Sequence, residues 1–193
     1  MLVILTSDLD HSRAAADLMK QGIDVFASAD TAKSRALTGH RLHTIEPFRS
    51  VRIDGFEVTP FDVQHDVPNL GFIISTASGE RLLYATDTYY VKYVFPALTC
   101  IMLECNFDGE TLKRNVNDGR VPPELAKRLY KSHMSLETVA RTLSAWDLSK
   151  LRQVYLIHLS DDNSNEECMR RTIQALTGAE VYIWHGLSHI PNS

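Results

Sequence analysis

Carboxylates and imidazoles in this chain stand where apolar runs stop. Val3-Ile4-Leu5 runs out into Asp8, Asp10 and His11, and the run Phe56 to Val63 is followed by Gln64 and His65. Arg81 to Thr86 leads to Asp87, and Val154 to Ile157 leads to His158. Short apolar runs of this kind predict buried strands. In α/β sheets, ligands gather beyond the carboxyl ends of strands, where side chains from separate strands converge. Imidazole and carboxylate oxygen are donors suited to zinc or manganese. The chemistry to expect is divalent metal binding. Each residue also has a plainer reading. Asp10 or Asp87 can cap a helix, His65 can be an ordinary loop residue, and His158 can be a satisfied core histidine. Four strand ends delivering the same two donor types favour the metal reading.

The elements that must position these groups alternate. Val3–Leu5 reads as a strand and His11–Gln21 as a helix ended by Gly22; Ile23–Ala27 is a second strand and Thr31–Leu37 a short helix. Leu42–Ile45, Ser50–Ile53 and Phe56–Val63 read as strands with Asp54-Gly55 as a turn, and Leu70–Thr76 pairs with Arg81–Thr86 across "ASGE". Ile101–Cys105, Val154–Ile157 and Val181–Trp184 complete the strands. Asp108–Trp146 reads as helical, broken near Gly119–Pro123 and near His133. Ser164-Asn165-Glu166-Glu167 has capping-box spacing ahead of a helix through Met169, Ile173 and Leu176. Strands mixed with helices predict a layered α/β domain.

Length and composition bound the rest. The chain has 193 residues, enough for one domain with a sizeable core. Hydrophobic residues make up 44% and charged residues 23%, an ordinary globular balance. A net charge of −4 leaves no general nucleic-acid footprint. Lys113, Arg114, Arg120, Lys127, Arg128 and Lys131 form a basic run that reads either as a solvated helical face or as a local interaction surface. No apolar run reaches a membrane span and there is no signal-peptide pattern, so no membrane partner is expected. Three cysteines, Cys100, Cys105 and Cys168, without a C-x-x-C, argue for reduced thiols and a cytoplasmic setting.

The order of "DH" after a strand, "HDVPNLGF", "LLYATDT", "MLECN", "SHMS" and "YLIHLSDDNS" resembles the metallo-β-lactamase-fold hydrolases. Within them it is most similar to the bacterial and phage branch related to the YycJ/WalJ exonuclease-like group and, more distantly, to ribonuclease Z. The resemblance runs from about Leu2 to Trp184. It implies an α/β fold of the metallo-β-lactamase αββα type, shortened at the N-terminus, as one domain over residues 1–184 with a tail over 185–193. The family's H-x-H-x-D-H motif falls on Thr6-Ser7-Asp8-Leu9-Asp10-His11, so the two leading histidine positions hold Thr6 and Asp8. The resemblance implies metal ligands at Asp8, Asp10, His11, His65, Asp87 and His158, with Asp87 bridging. It places Asp10 and His133 in catalytic roles, His133 assisting proton transfer. One ion site, with Asp10, His11, Asp87 and His158, is complete; the other keeps His65 and Asp87, with Asp8 as an oxygen replacement.

The function this implies is hydrolysis of phosphodiester bonds, in nucleic acid or a cyclic nucleotide, with one or two zinc or manganese ions. The alternative is a catalytically degenerate relative that binds a nucleotide or a protein. Because Met1 lies almost on the motif strand, the family's upstream strands are expected to be missing, leaving apolar sheet surface that a homo-oligomer would cover.

Overall fold

The structure is a computed structural model that describes residues 14–185, together with the backbone of residues 2–4. Among the described residues, ten strands form two sheets. The smaller is parallel, in the order β1 (Leu2–Ile4), β2 (Asp24–Ala27), β3 (Leu42–Thr44). The larger runs β4 (Val51–Ile53), β5 (Phe56–Val63), β6 (Asn69–Thr76), β7 (Arg81–Ala85), β8 (Cys100–Glu104), β9 (Gln153–Ile157), β10 (Glu180–Trp184) in spatial order. Strands β4 to β7 are antiparallel neighbours, whereas β7 to β10 are parallel. Parallel neighbours need crossovers. Helices α3 (Gly109–Asn117), α4 (Pro123–Ser132) and α5 (Leu136–Ser144) lie between β8 and β9, and α6 (Glu166–Thr177) lies between β9 and β10. The smaller sheet carries α1 (Ala15–Lys20) and α2 (Ala29–Ser34).

Local chemistry accounts for the boundaries. Asp54 and Gly55, both at positive φ (47° and 86°), make the two-residue turn between β4 and β5. Paired left-handed residues match the twist of a hairpin. Helix α2 begins two residues earlier than the sequence suggests, because the Ser28 side chain accepts from the Thr31 amide at 3.0 Å and caps it. In α6 the cap is Asn165 rather than Ser164, as the first residue of the capping-box spacing implied: Asn165 accepts from the Cys168 amide at 3.1 Å. Ser164 instead donates to the Ser160 carbonyl at 2.7 Å.

Side-chain alternation sets the layers. In β2, Val25 and Ala27 are buried with Ala15 of α1, while Phe26 packs with Ile53, Val58 and Phe72 of the larger sheet. The opposite face of that sheet, through Phe61, Ile73, Leu83, Ile101, Leu103 and Leu156, is buried under Val139 and Leu143 of α5 and Met169 and Ile173 of α6. The order is therefore helix, sheet, sheet, helix. Each fully buried large apolar side chain contributes about 1.5–3 kcal/mol. Gly71 lets β6 pass Phe61: a Cβ there would lie 2.4 Å from the ring. Near the β10 edge, Tyr182 and Trp184 are exposed, with Tyr182 stacked on Tyr155 at 5.0 Å.

Candidate metal centre

Three strands of the larger sheet end at one place. Strand β7 delivers Asp87, β8 delivers Glu104, and β9 delivers His158. Asp87 and His158, each just past its strand, have positive φ (51° and 57°). For a residue with a Cβ this conformation costs on the order of 1 kcal/mol or more, and such strain collects at functional sites. No helix follows Asp87, so it is not a helix cap, and the His158 side chain is 37% exposed, so it is not a core histidine. His133 comes from the end of α4. The segment after it bridges to the residues following β8, with Asn106 donating its amide to the Met134 carbonyl and Phe107 paired with Ser135. That pairing carries the imidazole over Glu104.

Asp87, His133 and His158 each offer a donor atom within 4.8 Å of the others. His158 Nδ1 lies 3.2 Å from Asp87 Oδ1 and 3.3 Å from Glu104 Oε1. Two ligand atoms at tetrahedral zinc distances stand about 3.4 Å apart, so the Asp87–His158 spacing suits a cation that replaces the His158 Nδ1 proton. His133 Nδ1 is 2.5 Å from Glu104 Oε1. A carboxylate only accepts, so Nδ1 carries the proton and Nε2 is left for a ligand or substrate.

Glu104 is the group that sequence reasoning missed, although it lies within "MLECN". It is fully buried, and its second oxygen accepts from the Thr88 amide at 2.8 Å. Burial pushes its carboxyl up, but hydrogen bonds from His133 and His158 outweigh this and hold it below the usual carboxylate value. The same two carboxylates act on Tyr84: burial first, then Asp87 and Glu104, push its phenol up to about 12. Asn106 was also missed. Its side-chain amide donates to the His158 carbonyl at 2.7 Å and its main-chain carbonyl accepts from the Ser160 amide at 2.7 Å, fixing the turn that carries His158. The signal available for both was their place at the end of an apolar strand.

His65 stands beside His133, with ring centroids 5.7 Å apart. Its Nδ1 donates to the Ser132 carbonyl at 3.1 Å and its Nε2 lies 3.0 Å from Asp66 Oδ1. The loop carrying it is tied to the Asp87 loop by the Gln64 amide, which donates to Thr88 Oγ1 at 3.1 Å. Asp8, Asp10 and His11 fall outside the described residues.

The family model described as "Beta-lactamase superfamily domain" matches residues 1–159. The chain is 29% identical over 123 residues to exodeoxyribonuclease YycJ of Bacillus anthracis, covering 61% of this chain and 45% of that protein. The chain thus matches less than half the length of that relative. Among solved structures, the metallo-beta-lactamase fold protein YhfI of Bacillus subtilis aligns with a TM-score of 0.69 at 18% identity, over 95% of this chain and 74% of that one. Human tRNase Z, short form, aligns with a TM-score of 0.58 at 13% identity, over 95% and 76%. At these identities the two structures show the shared fold.

Proposed function

The chain belongs to the beta-lactamase superfamily, and from that premise we propose that it is a metal-dependent hydrolase of phosphodiester bonds, of the nuclease or phosphodiesterase type. The observation that carries this reading is the cluster of Asp87, His133 and His158, with both imidazoles on buried Glu104. A mixed imidazole and carboxylate set fits zinc or manganese. Asp87 and His158 would hold the ion, with Asp10 and His11 completing its set and His65 and Asp8 serving a second ion. A bound divalent ion supplies Lewis acidity, lowering the pKa of a water and offsetting phosphoryl charge.

The protein's own groups do the rest. Glu104 keeps a negative charge against His133 Nδ1, which fixes the ring and leaves Nε2 pointing outward. From there His133 hands a proton to the leaving oxygen, a role suited to an imidazole near neutral pH. Asp87 and His158 are held by strained turns, so their donors are fixed before a ligand arrives. A nuclease relative supports nucleic acid as the substrate, with a cyclic nucleotide as the smaller alternative. The proposal includes a cytoplasmic setting. It also includes a homo-oligomer that covers the β10 edge, where Tyr182 and Trp184 are exposed.

Thr6 and Asp8, where the family has histidines, favour a second reading: an attenuated or degenerate relative that binds without turnover. Hydrolysis of bis(p-nitrophenyl) phosphate separates the two. The hydrolase reading expects turnover with manganese or zinc, abolished by EDTA and restored by the metal. Absence of turnover with metal bound supports the binding relative.

A further inference from the structure

A cleft of about 660 Å³ opens between α2 and α4, and His65 and His133 are among the residues that line it. Arg35, at the end of α2, and Arg128, on α4, line it from different elements. Resting on the phosphodiester reading, we propose that this cleft receives a single-stranded nucleic acid, and that Arg128 grips a phosphate neighbouring the one cleaved.

His133 belongs both to the Asp87 cluster and to the cleft. A substrate whose reacting phosphate sits at the cluster therefore extends past His133 into the cleft. Arg128 lies one helical turn before Ser132, whose hydroxyl donates to the Arg128 carbonyl at 2.9 Å, so Arg128 and the His133 end of α4 share one face. Its side chain is 74% exposed, and its pair with Asp66, at 4.0 Å, is at the outer limit of an ion pair. An exposed pair of that kind is worth about 0–1 kcal/mol, so a phosphate displaces it at little cost. Asp66 is not left bare by the exchange, because its side chain is 55% exposed and water solvates it. A guanidinium binds phosphate through two parallel hydrogen bonds, which fixes register as well as charge.

The carboxylates of Asp30 and Asp66 also line the cleft and repel any phosphate, so the Arg128 guanidinium supplies the attraction there. What decides the substrate class is the number of phosphates. A cyclic nucleotide has one, consumed at the cluster, and leaves Arg128 on its weak contact with Asp66. A strand brings a further phosphate for it. The cleft volume lies within the range that encloses a small-molecule-sized unit, more than a lone phosphate requires.

The test is binding without turnover. Fluorescein-labelled oligothymidylate and oligouridylate are titrated with the full chain in EDTA, and anisotropy is read at several salt concentrations. Arg128→Gln is expected to weaken binding about 5- to 100-fold and to lower the log–log salt slope by about 0.7. Arg128→Lys should keep most of the slope while losing affinity. Arg171→Gln, on α6 beside Glu167, should match the wild type, and equal thermal midpoints establish that the variants are folded. Wild-type binding to neither strand, or an Arg128→Gln variant with unchanged affinity and slope, overturns the proposal. Turnover of bis(p-nitrophenyl) phosphate by the wild type tests the hydrolase reading separately. Loss of that turnover with Arg128-dependent strand binding intact sinks the hydrolase reading and keeps the cleft.

Discussion

Glu104 concentrates the chemistry at the scale of single residues. It is a buried carboxylate without a place in a pattern of surface-facing ligands, yet His133 and His158 both turn a nitrogen toward it. Glu104→Gln keeps the shape and removes the charge. Supporting carboxylates of this kind are worth 10–100-fold in affinity or activity, so we expect kcat for the small diester to fall by about that factor. The depressed carboxyl also predicts a pH effect. A carboxylate held below its unfolded value stabilises the fold above about pH 4.3, and that stability is lost as pH falls through the folded value. Urea midpoints should therefore drop further on acidification for the wild type than for Glu104→Gln. The three thiols divide by exposure. Cys105 is buried and its thiol is pushed well above the usual range, first by burial and then by Glu104, whereas Cys168 is exposed. A thiol reagent at mild alkaline pH should label Cys168 and leave Cys105 unmodified until the chain unfolds. Asp87, His133 and His158 were legible in the sequence because each closes an apolar run or lies in a family block. Glu104 was not, because a buried acid inside "CIMLE" looks like part of the strand until the imidazoles above it are placed.

At the scale of elements, strands were easier to find than caps. Alternation and β-branched runs mark β5 over Phe56–Val63 without ambiguity, since both faces of that strand meet apolar layers. The start of α6 lies one residue beyond the one the capping-box spacing implies, because the Ser164 hydroxyl donates to the Ser160 carbonyl and Asn165 caps the Cys168 amide. The bridge between Phe107 and Ser135, which aims His133, joins segments that carry no local signal for pairing. Packing at β6 gives a sharp prediction. Gly71→Ala drives a methyl into the buried Phe61 ring, where overpacking costs about 1–3 kcal/mol. A chemical denaturation series should show this as a lowered midpoint with an unchanged slope, and a midpoint equal to the wild type would mean that β6 and Phe61 relax apart.

At the scale of the whole molecule, two sheets back to back place every candidate ligand among the described residues at one end of the larger sheet. The layers follow from alternation in β2, where Val25 and Ala27 face α1 and Phe26 faces the other sheet. Assembly belongs to this scale as well. If a second copy covers Tyr182 and Trp184, light scattering across a dilution series should report a dimer or larger species that Trp184→Glu dissociates; a wild-type monomer throughout would remove that part of the proposal. The central claim is that Asp87 and His158 hold a divalent ion while His133 acts on the proton. Calorimetric titration of metal-stripped protein with zinc and manganese tests it most directly. The account predicts tight binding to the wild type and to His133→Ala, and binding weakened at least tenfold in Asp87→Asn and in His158→Ala. Wild-type affinity in Asp87→Asn and His158→Ala, with folded protein in both, would contradict it.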